Sequence, residues 1–205
     1  YKNLKKESYY KKKCLILGNG PSQGYISKKS LIKFKNNGNK IFVINYFLNN
    51  EIFKEVIPDF FIFSDPYTLN KNTYQLKSLS KKYRLKLIKQ NKEIFQYLKE
   101  NTSIKIMCPI DNYNNSDLSK LKNSYIPTIN SYFNFIKFDN PLLPRSYPSL
   151  TIFHAIRIAL YMNFNKNYLL GMDNNHFKNI FNDKNNKVWT LESHTTSSSY
   201  WFSKS

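Results

Sequence analysis

Four short polar segments that follow apolar runs are the residues of this sequence best suited to bind a small anionic ligand. The first is Gly18-Asn19-Gly20-Pro21-Ser22, which follows the apolar residues 14–17. Glycine lets a backbone approach a phosphate closely, and the free N–H groups at a helix start attract an anion. Three later apolar runs end in a similar way, at Asn45, at Ser64-Asp65 and at Gly171-Met172-Asp173.

The glycine segment matches no standard nucleotide-binding motif. It fits neither the GxGxxG dinucleotide fingerprint nor the GxxxxGK[ST] phosphate loop. Taken alone it is as typical of a tight turn as of a binding loop, and Asn45 alone is an ordinary strand-end residue. The four segments together indicate a site, because ligands of open parallel sheets bind beyond the carboxyl ends of the strands.

The three histidines are the candidates for acid–base chemistry, since imidazole titrates near neutral pH. His154 falls among apolar residues at helical spacing, which predicts a packed or surface-lining histidine. His176 follows the last strand-end turn and suits either a phosphate contact or a plain loop. His194 lies in a polar segment between Glu192 and Thr195. No histidine has metal-ligand spacing, and GxSxG is absent, so we expect neither a metal site nor a serine-hydrolase triad.

The apolar runs predict strands, and the stretches between them predict helices. The order begins β-α-β-α-β, which is typical of a parallel sheet with helices on both faces. We predict strands at residues 14–17, 41–44, 60–63, 104–107 and 168–170, and helices at 27–35, within 67–100, and at 149–162. Ser27 is the expected N-cap of the first helix. We interpret residues 112–144 as an irregular lid and residues 174–205 as a polar segment on the acceptor side.

Length and composition favour one domain in a reducing compartment. The 205 residues, of which 41% are hydrophobic and 17% aromatic, can bury one sizeable core and exclude wholesale disorder. No apolar run approaches the roughly 18–20 residues of a membrane helix. Cys14 and Cys108 lack CxxC spacing, which favours the cytoplasm over a disulfide scaffold.

The net charge of +19 by itself would suit a nucleic-acid protein. Only Arg84, Arg145 and Arg157 among the 32 basic residues are arginines, although base and phosphate readers favour arginine. Because the lysines are spread along an asparagine-rich chain, we attribute them to composition and expect no specific nucleic acid. The positive field still favours sugar nucleotides and the anionic face of a membrane.

Segments spread over most of the chain resemble, in order, the bacterial family 42 sialyltransferases and the related domain of flagellin-modifying and pterin-pyrophosphokinase-like proteins. They are LILGNGPS at residues 15–22, FVIN at 42–45, Arg145 with Ser149 before IAL at 158–160, YLLGMD at 168–173 and ESH at 192–194. The resemblance implies an α/β fold with a Rossmann-like, mainly parallel sheet of the GT-A-variant type. It also implies one nucleotide-sugar-binding domain over residues 1–205.

The function that this resemblance implies is inverting transfer of sialic acid or a similar acidic sugar from a CMP-sugar to a lipooligosaccharide or capsule glycan. No metal or other cofactor is implied. His194 matches the family's general base, which takes a proton from the acceptor hydroxyl. The candidate donor-binding residues are Asn19, Gly20, Pro21, Ser22, Asn45, Asp65, Arg145, Ser149, Gly171, Met172, Asp173 and His176. The family's phosphate-binding tyrosines are replaced after the GxD turn, and the alternatives are Tyr147, His176, Lys178 and Tyr200.

Two other functions stay open. A pyrophosphokinase-like phosphoryl transferase on the same fold would need Mg²⁺ and carboxylates, which Asp65 and Asp173 could supply. A basic RNA- or membrane-binding module would use Tyr and Phe as stacking platforms. For the transferase, the expected partners are a nucleotide-sugar donor and an oligosaccharide or glycolipid acceptor, at the inner face of the cell membrane. Assembly into a homo-oligomer is also open.

Overall fold

Six parallel strands form the central sheet of this protein. The computed structural model describes residues 9–65, 67–70, 80–128, 151–172, 180–182, 188–191 and 199–202. The sheet order is β5-β4-β3-β2-β1-β6, and every neighbouring pair is parallel. The strands are β1 (Lys13–Leu17), β2 (Lys40–Ile44), β3 (Phe60–Ile62), β4 (Lys105–Pro109), β5 (Tyr125–Thr128) and β6 (Lys166–Leu170). The predicted Rossmann-like α/β fold is confirmed.

Helices cover both faces of this sheet, as predicted. Two helices, α1 (Lys28–Asn36) and α2 (Lys81–Glu100), pack on one face, and α4 (Thr151–Tyr161) packs on the other. The short helix α3 (Ile110–Asn114) follows β4 directly. Short 3₁₀ segments occupy residues 21–25, 47–49, 51–54 and 118–120. Within the described residues, no helix is both long enough and apolar enough to cross a bilayer.

Helix starts follow the expected capping chemistry. The Ser27 hydroxyl oxygen accepts the backbone N–H of Ser30 at the start of α1, at 3.2 Å, which confirms the predicted N-cap. Ser80 caps α2 in the same way, through the N–H of Tyr83. The glycine segment does not lead directly into α1, because the 3₁₀ segment at 21–25 comes between them.

The core consists of two apolar layers, one on each side of the sheet. Successive side chains of a strand point to opposite faces. In β1, Leu15 and Leu17 pack with α1 and α2, whereas Cys14 and Ile16 pack with α4. Burial on both faces explains why the central strands β1 to β4 are nearly continuous apolar runs.

Two parts of the strand prediction were wrong. Residues 125–128 lie in the stretch that was expected to be irregular, yet they form β5. Pro127 argues against a central strand, but β5 lies at the sheet edge, where a residue without an N–H is tolerated. The strand at 168–170 was also expected to be the last. Instead, β7 (Ile180–Asn182), β8 (Val188–Leu191) and β9 (Ser199–Phe202) follow as a separate antiparallel sheet.

Candidate functional site

The polar strand ends lie at one edge of the sheet, as expected from the sequence. The strands β1, β2, β3 and β6 are neighbours and run in the same direction, so their carboxyl ends share an edge. Residues 18–22, Asn45, residues 64–65 and residues 171–172 follow these strands directly. This edge is the candidate site, since ligands of open parallel sheets bind there.

Backbone contacts join the glycine segment to the end of β6. The N–H of Gly18 donates to the carbonyl of Leu170 at 2.8 Å, and the N–H of Gly20 donates to the carbonyl of Gly171 at 2.9 Å. The Ser22 hydroxyl oxygen in turn accepts the N–H of Gly171, at 2.9 Å. Ser22, predicted as a donor-binding residue, therefore also holds the two strand ends together.

Both Gly18 and Gly171 are required by this close approach. A Cβ on Gly18 would lie under 3.0 Å from the carbonyl oxygen of Gly171, and a Cβ on Gly171 would meet the backbone of Gly18 at a similar separation. Gly171 also has a φ of +75°, in the left-handed region that favours glycine. Close packing of the two strand ends therefore explains why glycine occupies both positions, whether or not a ligand binds here.

Three polar side chains form a hydrogen-bonded chain at the centre of the edge. The Thr151 hydroxyl donates to Asn45 Oδ1 at 3.2 Å, and its oxygen lies 2.8 Å from the Ser64 hydroxyl. When Thr151 donates to Asn45, its oxygen is free to accept the Ser64 proton. The chain links the end of β2, the end of β3 and the first residue of α4. We call it the Asn45–Thr151–Ser64 chain.

Asn45 is held in place by its backbone as well as by this chain. Its φ of +44° lies in the left-handed region, which asparagine tolerates better than most residues. Its N–H donates to the carbonyl of Ile62 at 3.1 Å. Within the described part of the chain, the Nδ2 amide group has no hydrogen-bond partner. Asn45 therefore offers a fixed amide donor at the edge.

Asp65 stabilises a turn through its side chain and its carbonyl. Its Oδ1 accepts the N–H of Tyr67 at 2.7 Å, and its carbonyl oxygen accepts Asn112 Nδ2 at 2.9 Å and the N–H of Thr68 at 3.1 Å. Burial raises the pKa of its carboxyl, while the hydrogen bond from Tyr67 opposes this shift. Oδ1 of Asp65 therefore serves the turn, whereas Oδ2 has no hydrogen-bond partner among the described residues.

Two buried hydroxyls next to Asp65 were missed by the sequence analysis. The hydroxyls of Tyr46 and Thr68 are both buried and lie close enough to interact with each other. Burial raises the pKa of Tyr46, as does the nearby Asp65, whereas the hydrogen bond with Thr68 opposes these shifts. Their interaction offsets part of the cost of burying two polar groups beside the candidate site. The only signal in the sequence was that Tyr46 and Thr68 adjoin the polar strand ends.

The remaining predicted site residues fall into two groups. Asn19 and Gly20 lie partly exposed at the edge, Pro21 begins the 3₁₀ segment, and Met172 packs against the apolar layer on the α4 side. Arg145, Ser149, Asp173, His176 and His194 lie outside the described residues, as do Tyr147 and Lys178. Their predicted roles stay predictions. Tyr200 lies in β9.

No cluster of three histidine, cysteine, aspartate or glutamate side chains that could hold a metal ion occurs among the described residues. Cys14 and Cys108 are both buried and free, and burial raises the pKa of each thiol to about 12. A thiol that stays protonated is a poor nucleophile, so neither cysteine adds reactive chemistry to the edge.

His154 is a packed histidine, as predicted. It lies on the buried side of α4 and is 6% exposed. Burial lowers its pKa to about 4, and the neighbouring Arg157 contributes in the same direction. At neutral pH the imidazole is therefore uncharged.

This pKa predicts an acid-induced loss of stability. The folded state binds the His154 proton only near pH 4, whereas the unfolded chain binds it near pH 6.5, so stability is lost as the pH falls through this window. We expect His154 to account for a loss of about 2–3 kcal/mol between pH 7 and pH 4.5. Urea unfolding of the wild type and His154→Leu at both pH values measures it. A difference between the two proteins that does not change with pH would contradict this assignment.

Comparison of the chain with protein-family models, with curated proteins and with solved structures gives no match in any of the three.

Proposed function

We propose that this protein is an inverting glycosyltransferase that uses a CMP-sugar donor. The transferred group is sialic acid or a similar acidic sugar, and the acceptor is a bacterial surface glycan or glycolipid. The observation that carries the proposal is the assembly of the Asn45–Thr151–Ser64 chain and the glycine segment at the carboxyl edge of one parallel sheet. The sequence resemblance selects this donor among the ligands that such an edge can bind.

The groups at the edge fit a nucleoside monophosphate. Asn45 supplies an amide donor, and Ser64 and Thr151 supply hydroxyl oxygens. Asn19 supplies a backbone N–H, since the N–H groups of Gly18 and Gly20 are already bonded to the end of β6. The amide and the N–H can donate to phosphate, ribose and base oxygens, and the hydroxyl oxygens can accept from ribose hydroxyls, all without paired carboxylates. We therefore propose that the donor binds without a divalent metal ion.

In the proposed reaction, His194 takes the proton of the acceptor hydroxyl. The acceptor oxygen forms a bond to the anomeric carbon as the bond from that carbon to the phosphate oxygen breaks. CMP leaves with the electron pair of that bond, and the configuration at the anomeric carbon inverts. An imidazole suits this step because its ordinary pKa lies near the working pH.

A thermal-shift screen of nucleotides tests the proposal. We expect CMP, in EDTA, to raise the melting temperature by about 5–10 °C at 100 times its dissociation constant. Other nucleoside monophosphates and diphosphates should give smaller shifts. Stabilisation by ATP only in the presence of Mg²⁺, with none by CMP, would overturn the proposal and favour phosphoryl transfer.

Asn45→Asp tests the edge residue with the least structural change. Aspartate tolerates the left-handed backbone and keeps an oxygen for Thr151, but it removes the amide donor and adds a negative charge. We expect the affinity for CMP to fall about 10- to 100-fold, corresponding to 1–3 kcal/mol, with a small change in ligand-free stability. Asn45→Ala should weaken binding by a similar amount.

Asn163→Asp is the matched control for this variant. Asn163 also has a left-handed backbone, with φ +59°, but it is exposed and follows α4 at the opposite edge of the sheet. It receives the same change in charge. Equal CMP affinities for the two variants, measured by calorimetry, would exclude Asn45 from the donor site.

A further inference from the structure

Positive charge is concentrated on α1 and α2, the two helices on one face of the sheet, although lysines occur throughout the sequence. Together, α1 and α2 contain eleven basic and only two acidic residues. By contrast, α4 on the other face contains one arginine and no lysine. Six of the seven basic residues of α2 fall in its first twelve positions: Lys81, Lys82, Arg84, Lys86, Lys89 and Lys92.

The basic half of α2 extends beyond the candidate site edge. Asn91 holds the turn that follows Asp65. Its Nδ2 donates to the carbonyl of Tyr67 at 2.8 Å, and its Oδ1 accepts the N–H of Leu69 at 3.0 Å. The helix ends near the start of β4, so it runs opposite to the strands. Its ten residues before Asn91 therefore reach about 15 Å past this turn, at 1.5 Å per residue.

An exposed aliphatic side chain lies among these basic residues on each helix. Leu85 is 57% exposed in α2, and it shares one side of the helix with Lys82, Lys89 and Lys92. Ile32 is 40% exposed in α1. Lysines around a protruding aliphatic side chain are typical of helices that lie on an anionic membrane surface.

Lys28, Lys35 and Lys89 form ion pairs with Glu55, Asp59 and Glu93, but folding stability does not explain the other lysines of the two helices. The first turns of α1 and α2 contain no acidic residue, although the helix dipole favours negative charge at this end. Each helix instead begins with two consecutive lysines. Within the described part of the chain, Lys81, Lys82 and Lys92 form no ion pair. An external anionic surface would relieve this unfavourable arrangement.

We propose that the outer face of α1 and α2 docks on an anionic phospholipid bilayer, and this inference goes beyond the proposed catalytic function. The docked orientation brings the candidate site edge next to the membrane, since the basic half of α2 flanks that edge. The same features disfavour RNA as the partner. Ten of the eleven basic residues are lysines, and the aromatic residues of both helices are at least partly buried rather than open for stacking.

Flotation of the full chain with lipid vesicles tests this proposal. We expect binding at 0.1 M salt to vesicles that contain phosphatidylglycerol, and little binding to pure phosphatidylcholine vesicles. The triple variant Lys81→Glu, Lys82→Glu and Lys92→Glu should lose about 100-fold or more in affinity for the anionic vesicles. Glutamates at positions 81 and 82 favour the helix dipole and position 92 is exposed in mid-helix, so the variant is expected to fold as well as the wild type.

The matched control is Lys11→Glu, Lys122→Glu and Lys166→Glu. These three exposed lysines precede or begin β1, β5 and β6 at the opposite edge of the sheet, and their reversal changes the net charge by the same amount. We expect this control to stay within about threefold of the wild type, because lysines away from the membrane contribute little. Leu85→Ser should weaken binding to vesicles but not to a single-stranded RNA oligonucleotide.

Two results would overturn the proposal. One is equal vesicle affinity for the two triple variants. The other is loss of RNA oligonucleotide binding in the α2 variant while its vesicle binding is unchanged, which would make the face an RNA surface. Both readouts are independent of CMP binding, so failure here is distinguishable from failure of the proposed transferase function.

Discussion

His194→Ala is expected to reduce turnover by about 10²–10⁴-fold at saturating acceptor, since a positioned general base typically contributes a factor of this size. The affinity for CMP should change little, because the base acts on the acceptor side of the reacting carbon. Steady-state kinetics together with calorimetry separates the two effects. The expectation rests on the family resemblance of the segment at 192–194.

The other two histidines serve as controls for His194. His154→Ala should lower stability with only a modest effect on turnover of the folded protein, because this imidazole is buried in the core. His176→Ala distinguishes the remaining alternative. Near-normal turnover of His194→Ala together with inactive His176→Ala would move the base to the segment after Asp173.

Gly171→Ala is expected to destabilise the protein by about 3–5 kcal/mol, or to prevent folding. The new Cβ would collide with the backbone of Gly18, which cannot move without breaking the contact between the ends of β1 and β6. The φ of +75° adds strain for any residue with a side chain. Urea unfolding measures the loss.

Gly24→Ala provides the control for this glycine substitution. A Cβ at Gly24 meets nothing within 4 Å, so this variant should stay within about 1 kcal/mol of the wild type. Equal stabilities of Gly171→Ala and Gly24→Ala would show that the two strand ends are not tightly joined.

The sheet could be predicted from the sequence because burial on both faces makes its central strands continuous apolar runs. Edge strands carry a weaker signal. β5 contains Pro127 and is only partly buried, so its pattern resembles a loop. The strands β7 (Ile-Phe-Asn) and β9 (Ser-Tyr-Trp-Phe) are too short to show a pattern, and pairing between neighbours marks them as strands.

The candidate site could be predicted only as a set of strand ends. Their meeting at one edge follows from parallel pairing, but the contacts among them depend on tertiary structure. Thr151 lies 106 residues from Asn45 and 87 from Ser64 along the chain, and no local pattern connects them. The need for a glycine at position 18 likewise depends on its contact with Gly171, which is distant in the sequence.

The placement of the positive charge on the surface also could not be predicted from the sequence. Lysines look evenly spread along the sequence, because α1 and α2 are separated by more than forty residues. The two helices pack on the same face of the sheet, which gathers their lysines on one surface. The net charge follows from the composition, but the position of the lysines on one surface follows only from the way the two helices pack on the sheet.

Calorimetric titration of the full chain with CMP in EDTA decides whether this protein binds the proposed nucleotide. We expect saturable binding of one CMP per chain, weakened about 10- to 100-fold by Asn45→Asp and unchanged by Asn163→Asp. Absence of CMP binding, together with tight binding of ATP that requires Mg²⁺, would contradict it.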